Sequence, residues 1–261
     1  MEQEKQCKKN EKKAGRLFSN IILILALGIF AFSGYKLYEI YAEYNKGVTE
    51  YDNIQDIVIQ KEEPETAEEA PKFIVDFNAL KAINGDTVAW IRFDEPAQIS
   101  YPVVKGLDNS KYLKTTFEGN RNAAGTIFMD VDNAGDFTDR NTFIYGHNMK
   151  NGSMFAQLRK YKTKEFCDQN PFFYIYTPDG EETVYQIFAV SIVKDTSRSY
   201  QKYYANDTDF ADYIAYVRQG TLYTTNVEVA GDDQIVSLST CTNVRQDERI
   251  LVQGVKVSEK E

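Results

Sequence analysis

The stretch QIVSLSTCTNVRQDERILVQGVKV, residues 234–257, decides the fold. It holds two runs of strand-forming residues, QIVSL (234–238) and RILVQGVKV (249–257), on either side of a polar turn. The first runs on into SLSTCTN (237–243), so a strand ends with the thiol of Cys241. Arg249 opens the last strand eight residues further on, far enough to return antiparallel beside that thiol. Working outward, the same β-like chemistry recurs at 88–93 (VAWIRF), 99–104 (ISYPVV), 125–129 (GTIFM), 141–145 (NTFIY), 172–177 (FFYIYT) and 183–193 (TVYQIFAVSIV). Pro178-Asp179-Gly180 reads as the turn of a hairpin between two of them. A short helix is expected around Phe77–Ile83 and two more at about 153–161 and about 208–219. The last carries Phe210, Tyr213, Ile214 and Val217 on one face, starts in the capping-rich NDTD and stops before Gly220. Eight or so short strands in one unit of about 190 residues predict a mainly β barrel or sandwich with helical insertions.

Composition agrees. The 261 residues are 43% hydrophobic and 13% aromatic, with 18 Tyr and 16 Phe against one Trp, which excludes a collagen-like or wholly disordered chain. A net charge of −9 argues against nucleic-acid binding, which needs clustered Lys and Arg. Three scattered cysteines, Cys7, Cys167 and Cys241, are too few for a disulfide scaffold or a four-thiolate zinc site. His147 is the sole histidine, so any imidazole chemistry falls to it.

The N-terminal region has its own character. Residues 1–16 hold six basic and three acidic side chains, and the run from Leu17 to Tyr35 is uncharged. Nineteen residues of helix span roughly 28 Å, close to the hydrocarbon thickness of a bilayer. The positive-inside rule then predicts a cytoplasmic tail (1–16), a single transmembrane anchor (17–38) and an extracellular remainder. A cleaved signal peptide is the alternative, with only the poor site Ala31-Phe32-Ser33 to serve it. Residues 39–72 read as an acidic stalk: apolar side chains from Ile40 to Val58 fall near helical spacing, and KEEPETAEEAPK (61–72) is linker chemistry. The folded domain is expected over 73–261.

Cys241 in isolation reads as an inert core thiol. Three features favour chemistry: small polar neighbours, a lone His147 beside Gly146 at another strand end in TFIYGHNMKNGSMF (142–155), and Arg249 placed to return beside the thiol. A cysteine is a nucleophile only as thiolate. His147 would supply or relay a proton, and Arg249 would stabilise a developing oxyanion or hold a substrate carbonyl.

The words Leu238-Ser239-Thr240-Cys241, Tyr145-Gly146-His147 and Arg249-Ile250-Leu251-Val252 resemble the sortases, transpeptidases that join surface proteins to the Gram-positive envelope. DFNALKAINGDTVAWI (76–91), YPVVKGLDNSKYL (101–113), GTIFMD (125–130) and the helix between the two strands preceding the cysteine make the likeness closest to class B, over roughly residues 73–257. The resemblance implies an eight-stranded β-barrel with peripheral helices, no cofactor, and Cys241, His147 and Arg249 as nucleophile, acid/base and oxyanion or substrate clamp. It implies a sorting-signal groove at Asn109, Leu113, Tyr200, Ser239 and Thr240. Thr242 follows the cysteine where some class B enzymes carry an acid, and no role for that acid carries over.

Such enzymes cleave a C-terminal sorting signal of a surface protein after Thr, through a thioester, and pass the acyl group to an amine of a cell-wall precursor or a pilin. NPQTN-like and LPXTG-like signals are both open. A non-catalytic surface module binding peptide or haem on the same barrel is the reading from another class. Two further features carry less. DVDNAGDFTD (130–139) resembles a calcium loop but has Ala134 and Asn141 at positions five and twelve, so it reads as an acidic turn. Cys167 reads as structural, with a Cys167–Cys241 disulfide conceivable outside the cell.

Overall fold

The computed structural model describes residues 2–62 and 72–257, which divide into two compact units, Met1–Lys46 and Gly47–Glu261. Helix α1 (Glu2–Val58) contributes to both. In the first unit it holds the one apolar window, among the described residues, long enough to cross a membrane, and none of that window is buried.

The second unit begins with the last turns of α1. Tyr51, Ile54 and Val58 are buried there at helical spacing, and the Tyr51 hydroxyl donates to the Gly125 carbonyl at 2.5 Å. Glu50 accepts from the Glu118 backbone N–H at 2.9 Å. Charge surrounds this apolar stripe in the sequence, which is why residues 47–58 read as stalk although they pack as part of the folded unit. Strands β1 (Ile59–Glu62) and β2 (Lys72–Val75) then pair antiparallel, which the linker reading of 61–72 did not foresee. Residues 63–71 of that linker lie outside the described residues.

The eight expected strands all form: β3 (Thr87–Arg92), β4 (Ser100–Val104), β5 (Ile127–Met129), β6 (Asn141–Tyr145), β7 (Phe172–Tyr176), β8 (Glu182–Lys194), β9 (Ile235–Cys241) and β10 (Glu248–Lys256). They close into a barrel in the order β10-β8-β7-β3-β4-β5-β6-β9, which leaves no open edge among them. The barrel, not the sandwich, is therefore the architecture. β4–β5 and β6–β9 are parallel and the other pairs antiparallel. Trp90, Phe93, Phe143, Phe173 and Phe188 fill the core, each at most 2% exposed.

Helix α2 (Phe77–Ile83) is capped by Asp76, whose carboxylate accepts from the Ala79 N–H at 2.9 Å. The segment expected as a helix at 153–161 is a 3-10 run, Phe155–Lys162, followed by a short α3 (Lys164–Gln169). Helix α4 (Asp207–Gln219), N-capped by Asn206, lays Phe210, Tyr213, Ile214 and Val217 against Phe188, Ala189, Ile235 and Val255. The β7–β8 hairpin turns at Gly180, whose φ of +89° suits a residue without Cβ.

Candidate active site

Two adjacent strands and the end of a third bring together the three side chains singled out from the sequence: Cys241 on β9, Arg249 on β10 and His147 two residues past β6. β9 lies between β6 and β10 in the barrel order. In the antiparallel β9–β10 pair, Arg249 is the direct register partner of Cys241, which puts both side chains on the same face. In the parallel β6–β9 pair, Tyr145 stands opposite Ser239, and the Gly146 N–H donates to the Ser239 carbonyl at 3.1 Å. His147 thus leaves β6 at the level where Cys241 ends β9. Asn148 fastens the two strand ends by donating to the Cys241 carbonyl at 2.7 Å.

These residues border a cleft of about 400 Å³. All eight residues singled out from the sequence line it: His147, Cys241 and Arg249 with Asn109, Leu113, Tyr200, Ser239 and Thr240. Cys241 is half-buried, and it and Cys167 are both free thiols, so the conceivable disulfide is not formed. Burial raises the Cys167 thiol above its ordinary value, in keeping with its structural reading.

His147 is held by a carbonyl: its Nε2 lies 2.7 Å from the Leu113 oxygen. A carbonyl only accepts, so Nε2 carries a proton, and Nδ1 is left as the ring position free to take or give one. Arg249 is oriented before any ligand arrives. Its Nη1 donates to the carbonyls of Gln246 (2.6 Å) and Glu248 (3.1 Å), and its Nη2 donates to Asp195 at 3.2 Å. One Nη2 proton and the Nε proton remain for other partners. Tyr200 shares a 2.8 Å hydrogen bond with Ser239, and burial, the largest cause, pushes its hydroxyl up to about 12. It is a neutral hydrogen-bonding group at physiological pH.

Thr240 sits one residue from the thiol, and strand alternation turns its side chain to the other face. That side chain is buried, and its hydroxyl has no partner among the described residues. Thr242 closes the β9–β10 turn, its hydroxyl accepting from the Val244 N–H at 3.1 Å beside Asn243 at φ +61°. Asp195 and Lys202 also line the cleft, and sequence reasoning missed both. Each lies in a charged, polar stretch with no periodicity to mark it off from a solvated loop.

A closed barrel that brings a thiol and a guanidinium on paired strands, and an imidazole just past the end of a third, to one cleft is the frame of a cysteine transpeptidase. The family model described as the sortase domain matches residues 95–257. A curated relative, sortase B of Listeria monocytogenes, is 34% identical over 242 residues, covering 91% of this chain and 96% of its own. Sortase B of Staphylococcus aureus is 29% identical over 247 residues, covering 92% and 98%. The crystal structure of B. anthracis sortase B in complex with AAEK1 superimposes with a TM-score of 0.72 at 32% identity, over 84% of this chain and 100% of that one. The chain belongs to the sortase family, in its class B. It is a transpeptidase of cell-surface proteins bearing sorting signals, as that family implies.

Proposed function

We propose that this sortase works from a membrane anchor on the outer face of the cell, with Cys241, His147 and Arg249 as its catalytic groups. The observation that carries the assignment is the register: Arg249 opposite Cys241, and His147 beyond Tyr145 on the flanking strand, around one cleft. The Cys241 thiolate attacks the carbonyl carbon of the threonine in a C-terminal sorting signal. The carbonyl oxygen takes up negative charge beside the remaining Arg249 N–H groups, which favour that charge over the neutral ground state. His147 gives a proton to the departing amine from Nδ1, the C–N bond breaks, and a thioester remains. An amine of a cell-wall precursor then attacks the thioester, passes a proton to His147, and releases the thiolate.

The rest of the chain suits this placement. The basic residues of 1–16 would stay in the cytoplasm, 17–38 would cross the lipid, and 39–72 would join the anchor to the barrel.

The test is intact-protein mass spectrometry of the full chain in detergent, incubated with NPQTN-like and LPXTG-like peptides and no added amine. A hydroxylamine-sensitive adduct on Cys241, absent from Cys241→Ala, is the expected result and identifies the signal. Cleavage that persists in Cys241→Ala would sink the assignment.

A further inference from the structure

Beneath the cleft lies a charged side chain that the proposed reaction does not use. Asp130, at the end of β5, has a side chain only 2% exposed and does not itself line the cleft. Both its oxygens are fully engaged. Oδ1 accepts from Lys202 Nζ at 2.7 Å and from the Asp132 N–H at 2.9 Å. Oδ2 accepts from the Tyr145 hydroxyl at 2.7 Å and from Asn109 Nδ2 at 3.2 Å. Burial alone would raise this carboxyl, but the bonds from Lys202, Tyr145 and Asp132 outweigh it and hold it below the usual carboxylate range.

The three side chains that converge on Asp130 all line the cleft, and they come from three separate parts of the chain. Asn109 belongs to the loop after β4, Tyr145 ends β6, and Lys202 lies in the segment leading to α4, two residues beyond Tyr200. Each loop also takes a second bond to the same turn. The Val131 N–H donates to Asn109 Oδ1 at 2.8 Å, and Lys202 reaches Asp132 at 2.8 Å. Asn109 therefore has one N–H and one lone pair left for a ligand.

We infer that Asp130, through Lys202, is the positioning residue that fixes the shape of the sorting-signal cleft, tying the Asn109 loop and the Tyr200–Lys202 segment to the barrel wall. The inference rests on the transpeptidase reading above and assigns this pair to substrate binding, not to thiol chemistry. The His147 support is secured independently. Tyr112, next to Leu113, donates its hydroxyl to Asp86 at 2.6 Å, and its carbonyl accepts from the Thr126 N–H at 3.0 Å. Loosening the Asp130 tie should therefore let the cleft residues drift while leaving the imidazole in place.

Three variants of the full chain test this: Lys202→Met, which removes the ammonium; Tyr145→Phe, which removes one hydrogen bond and keeps the ion pair; and Asp130→Asn. Asp130→Asn carries the largest risk of not folding, and Tyr145→Phe the smallest. Steady-state cleavage of the sorting-signal peptide gives KM and kcat, and the rate of Cys241 alkylation by iodoacetamide reports the thiol by itself. For Lys202→Met we expect KM to rise about tenfold or more, with kcat within about threefold and alkylation within about twofold of wild type. Tyr145→Phe should move the same way by less. KM unchanged in the folded variants, or kcat and alkylation falling together at constant KM, would overturn the assignment. A wild-type chain that forms no thioester with any signal peptide would overturn the transpeptidase reading first, before any variant is compared.

Discussion

Gly146→Ala tests whether the position of His147 depends on close packing behind it. Gly146 does not adopt a left-handed backbone conformation, so its need for glycine is one of space. A Cβ built there would run into Ile127 Cδ1 and lie 2.7 Å from two carbons of the Phe155 ring. Ile127 and Phe155 are both fully buried, and neither can swing into solvent to make room. Overpacking of this kind costs about 1–3 kcal/mol. In a domain of this size each kcal/mol moves Tm by about 2–4 °C, so thermal denaturation should show a fall of about 2–12 °C. The strain lands next to His147, the proposed acid/base, because the Phe155 N–H donates to the His147 carbonyl at 3.0 Å. If Phe155 retreats, His147 moves with it, and a displacement approaching 1 Å costs on the order of 10²-fold in rate. Peptide cleavage should therefore fall by about ten- to a hundredfold, while iodoacetamide still alkylates Cys241 at close to the wild-type rate. Phe155→Leu removes the ring carbons that crowd the new methyl, so the two substitutions should be non-additive by about 0.5 kcal/mol or more. Wild-type stability and turnover in Gly146→Ala, or strict additivity in the double variant, would refute the packing argument.

Two further outcomes follow from the site. Asp195→Ala removes one partner from Arg249 but leaves the carbonyls of Gln246 and Glu248, and the Asp195 side chain is 42% exposed. A half-exposed pair of this kind contributes about 1 kcal/mol or less, so kcat/KM should drop about fivefold at most. Arg249→Met should lose about 10²–10³-fold if Arg249 serves as the proposed oxyanion donor. Equal losses in the two variants would show that Arg249 works only when Asp195 holds it, against a minor role for that pair. The second outcome concerns pH. Asp130 is held below its unfolded value of about 3.9, so its stabilising contribution is complete above that pH and is lost as pH falls through the folded value. Urea denaturation of wild type and Asp130→Asn should show a wide stability gap at pH 7 that closes as the pH is lowered below 4. A gap independent of pH would mean that shape, not charge, makes Asp130 matter.

The barrel was legible because its strands are short runs of β-branched and aromatic residues cut off by polar turns, as in TIFM, NTFIY and ILVQGVKV. β1 and β2 were not: IQKE carries no period of two, and KFIV is only four residues long and adjoins the acidic run read as linker. The burial of residues 47–58 escaped for a related reason: Tyr51, Ile54 and Val58 form a stripe one residue wide in an acidic helix. At the site, motif words located the thiol, the imidazole and the guanidinium. They could not reveal the Asp130–Lys202 tie, which joins residues 72 positions apart. In the sequence Asp130 opened a segment that suggested only calcium or solvent.

The small polar residues before Cys241 turn out to have a structural cause. Ser239 is bonded to Tyr200, and Ser237 is fully buried, donating to Asn141 Oδ1 at 2.7 Å and accepting from Gln253 Nε2 at 2.8 Å. Gln253 Nε2 and Asn141 Nδ2 both reach the Tyr213 hydroxyl on α4 at 3.1 Å. One polar side chain from each of β6, β9 and β10 thus meets its neighbours in the core, about 13 Å along β9 from the thiol at roughly 3.3 Å per residue. A slip of one residue in any of these strands would break this network and leave polar groups buried without partners, at about 1–3 kcal/mol each. The same slip would carry His147, Cys241 or Arg249 onto the wrong face. The buried polar row therefore works as a register lock for the row of His147, Cys241 and Arg249. Serine inside QIVSLSTC is better explained by this constraint than by reactivity of the thiol, whose surroundings are set by the strands on either side.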